Sequence, residues 1–227
     1  MEQLKESDLV LDIGGWACPF NRANWVIDFM PYDTRGKFGA QGGEREYFTK
    51  HTWVQRDLCL REPFPFPDKM FDFVVCSHTL EDIRDPIFVC SEIIRVGKKG
   101  YIEVPSMDAE LAFCTETRHY AGYYHHRWLV EIRGCKIDFF FKPHFIHGRW
   151  RYHLPRTYRR RMTEDEGVQW LFWSDHFDYE ERIFIEGEDF MNFIEGLVRK
   201  RDAYPAWYYY VESIRDAAKG IRRKLCS

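Results

Sequence analysis

The chain has 227 residues, 45% of them hydrophobic, which is enough for one full α/β core with an appended lobe. Its 33 basic and 36 acidic side chains leave a formal charge of −3, so neither nucleic acid nor an anionic membrane gains a global attraction to it. Seven cysteines, an odd number without a C-x-x-C pair, fit neither a disulfide framework nor a zinc ribbon and read as reduced thiols.

Charges in the first eight residues interrupt the apolar stretch a secretory signal needs, and no later window reaches the ~18 apolar residues of a membrane span, so the expectation is a soluble cytoplasmic protein. Three apolar runs then read as buried parallel strands, because they lack polar alternation: Leu9–Ile13, Trp25–Phe29 and Phe71–Cys76. A shortened helix is expected at Pro19–Ala23 and a glycine-rich loop at Gly36–Gly43. Pro86–Val96 is amphipathic, with Asp85 as N-cap and Pro86 at the first helical position. Tyr101–Val104 is the fourth strand. The hairpin at 128–141, with Gly134 at its turn, is expected to add two more strands to the same sheet. Further on, Val168–Trp173 and Arg182–Ile185 read as strands, and Asp189–Arg201 and Tyr208–Lys224 as helices. The whole is a Rossmann-like, doubly wound α/β sheet of about seven strands over residues 1–141, followed by an aromatic-rich extension over 142–227.

Strand-helix-strand order puts ligands at the carboxyl ends of the strands, which is where the polar residues fall. Asp12 is followed by Gly14, Gly15 and Trp16; small residues let backbone approach a nucleoside, and a carboxylate accepts from hydroxyls. Taken alone, the glycine pair is equally a tight turn. Asp28, before Phe29, ends the second strand 16 residues after Asp12, near the ~20 at which such folds bind ribose hydroxyls. Asp57, before Leu58, suits acceptance from an adenine amino group, although taken alone each of these acids reads as an ordinary strand-end or turn residue. Ser77 and His78 follow the third strand. Histidine titrates near neutrality and suits proton removal from an acceptor, with loop ordering as the alternative role and Glu103 as a weaker candidate for the same work.

Together the segment Val10–Gly15, the acids Asp28 and Asp57, and the stretches Pro65–Val74, Ser77–Pro86 and Glu92–Pro105 resemble the successive motifs of the class I methyltransferases, in the methyltransferase domain 11 branch. The resemblance covers residues ~9 to 106 and implies S-adenosylmethionine lying across the strand ends. It places Asp12, Gly14 and Gly15 at the methionine and ribose side, Asp28 at the ribose hydroxyls, Asp57 and Leu58 at the adenine, and Ser77 and His78 next to the methyl group. One departure stands out: Trp16 occupies the place where the family has glycine.

Beyond 106 the sequence is less specific. His144 and His147 have workable metal spacing, but no carboxylate pattern completes a set, so no metal is expected. Six arginines lie between 149 and 161 among Trp150, Tyr152, His153 and Tyr158, a pattern suited to phosphate or to stacking and equally to a solvated basic loop. The expected activity is methylation, at oxygen, of a small molecule or sugar in glycan biosynthesis. The alternatives are a non-catalytic binding subunit and an RNA methyltransferase. Nucleic acid and membrane are not the expected partners, and the aromatic surplus allows a homodimer.

Overall fold

A computed structural model of the chain describes residues 4–208, 210, 211, 214 and 215. The chain forms two compact units. The first comprises residues 1–110, 125–142 and 163–183, and the second residues 111–124, 143–162 and 184 onward.

The first unit is built on a six-stranded sheet in the order β3-β2-β1-β4-β5-β8. Its strands are β1 (Val10–Ile13), β2 (Trp25–Asp28), β3 (Trp53–Gln55), β4 (Phe73–Ser77), β5 (Lys99–Pro105) and β8 (Val168–Ser174). The first five are parallel; β8 runs antiparallel along the whole of β5, from Lys99 opposite Ser174 to Pro105 opposite Val168. Strand order reverses between β1 and β4, creating the crevice in which open α/β sheets bind ligands.

One helix, α1 (Pro86–Val96), crosses from β4 to β5. It starts where the sequence expects, with the Asp85 side chain accepting from Phe88 N–H. Its buried face, Val89, Cys90, Ile93 and Val96, packs on Leu11, Val74, Cys76 and Ile102 in the principal core. Val74 and Cys76 face α1, whereas Phe73 and Val75 alternate to the opposite face and join Val10, Val26 and Trp53. That second face is covered by loops. The helix expected at Pro19–Ala23 is absent: the segment forms turns and a bridge from Phe20 to Gln41. Only 11 residues separate Ile13 from Trp25, and Phe20 N–H is committed to the Asp12 carboxylate at 2.9 Å, so the chain crosses as an irregular loop.

The hairpin of β6 (Trp128–Arg133) and β7 (Lys136–Phe141) forms as expected but does not extend the main sheet. With β9 (Asp178–Glu181) it makes a separate three-stranded sheet, β6-β7-β9. The reason is competition for the edge: β8 already pairs with β5 throughout, so the hairpin turns Trp128, Val130, Ile137 and Phe139 into the principal core instead. Gln169 joins the layers, donating to Pro105 and Val130 carbonyls and accepting from Ile132 N–H. The strand expected at Arg182–Ile185 lies earlier, at Asp178–Glu181, where Glu180 pairs with Lys136 at 2.7 Å.

The second unit carries α2 (Arg156–Arg159) and α3 (Gly187–Lys200), the latter close to its expected span. It is organised by ring packing: Phe184 stacks on Phe190 at 4.6 Å, and Phe113 stacks on His153 at 4.5 Å. The expected helix at Tyr208–Lys224 lies largely outside the described residues. Among the described residues no helix is long and apolar enough to cross a membrane.

Glu92 on α1 is 5% exposed and accepts from Phe64 N–H, while Arg95 one turn on donates to Glu92, to Asp68 and to the carbonyls of Phe64 and Phe66. The pair therefore fixes the segment that leads into β4. Glu92→Ala removes the buried carboxylate that Phe64 N–H and Arg95 share and is expected to cost about 1 to 3 kcal/mol in urea unfolding; a loss below about 0.5 kcal/mol, the level of an ordinary surface change, would remove the pair from this role.

Candidate functional site

The carboxyl ends of β1, β2 and β4 meet through a small set of contacts. Gly14 leaves β1 with φ +78°, and a Cβ there would lie 2.0 Å from Thr79 Oγ1, so only glycine lets the post-β4 loop close against β1. Gly15 sits over the Asp12 carboxylate, 2.0 Å from where its own Cβ would be. Asp12 is thus enclosed at 3% exposure; burial, aided by the charge of Asp28 and opposed by the Phe20 N–H bond, pushes it up to about 7. It shapes the glycine loop from below.

Asp28 is 7% exposed and takes one backbone N–H on each oxygen, from Trp16 at 3.0 Å and Met30 at 2.7 Å. Burial raises its pKa in spite of these bonds. Phe29 beside it is 65% exposed. Trp16 is partly buried against the loop-covered face, and its indole N–H donates to the Thr34 carbonyl at 2.8 Å, tying the loops after β1 and β2 together. Asp57 follows β3 and caps its own turn through Cys59 N–H at 2.8 Å; neighbouring Leu58 is in the core. Arg56 N–H donates to the Asp28 carbonyl, bringing the Asp57 turn next to the end of β2.

His78 turns the chain with φ 50° immediately after β4, and its N–H donates to the Glu103 carbonyl. Its half-exposed ring lies between two carboxylates, Nδ1 3.5 Å from Glu81 and Nε2 3.3 Å from Glu103. Burial opposes its charge, but the flanking carboxylates outweigh burial and push it up to about 10. A base titrating near 6.5, the sequence expectation, is not what this setting gives: at neutral pH the ring is an imidazolium with both nitrogens facing acids. Glu103 is pulled down to about 2, chiefly by His78, and also accepts from Ser77 Oγ and Tyr101 Oη. Glu81 is wholly buried, and burial raises it.

The structure therefore brings Asp12, Gly14, Gly15, Trp16 and Asp28 into one cluster and Ser77 with His78 into another, the two joined by Gly14 and Thr79. Sequence reading passed over Glu81, although its position three residues after His78 is the spacing of neighbours in a tight turn. On the loop-covered face, next to Ser77 and Glu103, lies an apolar cavity of about 280 Å³ walled by Phe73, Tyr101, Trp170 and Phe172. Among the described residues, His144 and His147 belong to no group able to hold a metal; His147 Nδ1 accepts from Ala121 N–H.

Comparison with known proteins bears on the same region. The methyltransferase domain family matches residues 29–102, which carry β3, β4, α1 and the first part of β5. No curated protein matches the chain. An S-adenosylmethionine-dependent methyltransferase from Mesorhizobium loti is 14% identical over 62% of this chain and 61% of its own, with a TM-score of 0.33. The YcgJ protein of Bacillus subtilis is 18% identical over 45% of this chain and 46% of its own, with a TM-score of 0.30. The chain thus spans less than two thirds of either protein.

Because folding raises the His78 pKa, its stabilising contribution is full below about 6.5 and is lost as pH rises through about 10. NMR of the ring nitrogens is expected to show an imidazolium at pH 8 in the wild type and a titration moved well down in Glu103→Gln. A neutral ring at pH 8 in the wild type would contradict the carboxylate clamp.

Proposed function

We propose that the chain, whose residues 29–102 match the methyltransferase domain family, uses S-adenosylmethionine to methylate a small-molecule or sugar acceptor at oxygen, in glycan biosynthesis. The observation that carries the reading is the reversal of strand order between β1 and β4, with the Gly14 turn and Asp28 standing at that point.

The residues present fit the cofactor. A carboxylate has about four lone-pair positions, and Asp28 uses one on each oxygen for backbone, leaving each able to accept from a ribose hydroxyl. The exposed ring of Phe29 would offer a face to the adenine, with the Asp57 turn brought next to the end of β2 by the bond from Arg56 N–H to the Asp28 carbonyl, and the loop Gly14–Trp16 would carry the ribose and methionine side. When bound, S-adenosylmethionine supplies an electrophilic methyl group. Ser77 and His78 would face it from the end of β4, and the ring-walled cavity beside Ser77 and Glu103 suits the flat, partly apolar body of a sugar or ring compound.

Alignment of the acceptor carries most of the catalysis in this reading, since in-line displacement at carbon gains chiefly from orientation. His78 orients the loop through Glu81 and Glu103 at neutral pH and becomes able to take the acceptor's proton only as it loses its own. A second reading, a cofactor-binding subunit without turnover, is favoured by Trp16 at the glycine position and by the missing helix after β1. Turnover of any acceptor excludes it.

Calorimetry with S-adenosylhomocysteine is expected to give micromolar binding to the wild type and ~10- to 150-fold weaker binding to Asp28→Ala, the loss of a charge-assisted hydrogen bond. No binding to the folded wild type would overturn the reading. In turnover, the rate should keep climbing with pH toward about 10, and His78→Ala should remove the climb; a profile that levels off near 6.5 would contradict the role given to His78.

A further inference from the structure

We propose that Asp82, His125 and His126 form a binding site for a divalent first-row transition ion, with Glu110 orienting His126 from behind.

Asp82 and the adjacent pair His125 and His126 lie far apart in the sequence and are brought together by backbone. Asp82 closes the turn after β4, its N–H donating to the Thr79 carbonyl. The carbonyl of the preceding residue, Glu81, accepts from both Arg127 N–H at 2.8 Å and Trp128 N–H at 3.2 Å, which docks the segment entering β6 beside that turn. One ligand atom of each residue then lies within 4.8 Å of the other two. Nε2 of His125 is 3.7 Å from Asp82 Oδ1, and Nε2 of His126 is 3.9 Å from the same oxygen. These separations exceed a hydrogen bond, which ends near ~3.2 Å. They are close to the ~3.4 Å between ligand atoms around a tetrahedral ion with bonds of ~2.0 to 2.1 Å. The two imidazoles meet edge to face, with centroids 4.5 Å apart.

A second layer already stands behind the first. His126 Nδ1 is hydrogen-bonded to Glu110, a carboxylate whose side chain is 1% exposed and which is held in turn by Lys142 at 2.6 Å. A carboxylate on one ring nitrogen fixes the proton there and turns the lone pair of the other nitrogen outward, the arrangement that supports metal-bound histidines. Glu81 is fully buried beside this group, its Oε1 3.5 Å from His78 Nδ1. Its charge and that of His126 act on each other. Three carboxylates, Glu81, Asp82 and Glu110, thus gather around the pair of imidazoles, with Lys142 as the cation held on Glu110. Asp82 and His125 are 38% and 43% exposed, so an ion can enter from solvent and keep water on its remaining positions. Two imidazoles and one carboxylate suit zinc and its neighbours, and are a poor set for calcium or magnesium, which take oxygen ligands.

The test uses the full chain, stripped with a chelator and titrated with zinc chloride by calorimetry, with cobalt(II) absorption as a second readout. One equivalent is expected to bind. His125→Ala, at an exposed position, and Asp82→Asn should each weaken binding at least 10-fold and abolish the cobalt bands. Glu110→Gln should weaken it ~10- to 100-fold, the usual effect of losing such an orienting partner. Absence of one-equivalent binding, or binding unchanged in His125→Ala and Asp82→Asn, would overturn the proposal. S-adenosylhomocysteine affinity measured on the same samples keeps this outcome separate from that of the methyltransferase reading.

Discussion

The side chain of Thr79 fills the space that a side chain at position 14 would need, and the rest of the site depends on that contact. With Gly14 in a left-handed turn, Thr79 Oγ1 reaches the carbonyls of Ile13 and Ser77 at 3.3 and 3.1 Å and holds the ends of β1 and β4 together. From this junction one arm leads back through Gly15 and Trp16 to the Asp28 carboxylate. The other leads through His78 and Glu81 to Asp82, and from the Glu81 carbonyl to the segment that enters β6. A methyl group at position 14 would meet both a steric overlap and a φ that side chains avoid.

The same region explains how the sheet manages with so few helices. With no helix between β1 and β2, the face carrying Phe73, Val75 and Tyr101 is roofed by loops, which Trp16 fastens through Thr34 and which leave a ring-lined cavity. On the other face α1 and the small sheet share one core, and the buried Glu92 with Arg95 anchors the chain before β4. Glu110, His126 and Lys142 form a second buried polar group in this unit, in which Glu110 takes a hydrogen bond from each neighbour. Buried charges of this kind persist only when paired.

The central strands were legible because strands buried on both faces read as unbroken apolar runs: Leu9–Ile13 and Trp25–Phe29 contain β1 and β2, and Phe71–Cys76 covers β4 except for Ser77. The capped helix at Pro86 was legible from Asp85 and the proline. β3 was missed because three residues, Trp53–Gln55, carry too little pattern, and β9 because Asp178, Glu180 and Glu181 read as loop until Lys136 is seen beside them. The sheet to which the hairpin belongs depends on which strand reaches β5 first, a long-range outcome that local pattern does not record. At the site, Asp28 and His78 stood out by their place at strand ends. The titration of His78 did not, since it is set by Glu81 and Glu103, whose approach is visible only in three dimensions.

The central claim is that the joined ends of β1, β2 and β4 hold the nucleoside part of S-adenosylmethionine. The most direct measurement is an amide NMR titration of the full, ¹⁵N-labelled chain with S-adenosylhomocysteine. Saturable shifts are expected at Gly14, Gly15 and Trp16, at Asp28, Phe29 and Met30, and at Ser77 to Thr79. Saturable shifts confined to residues away from these three strand ends, or none at all, would contradict it.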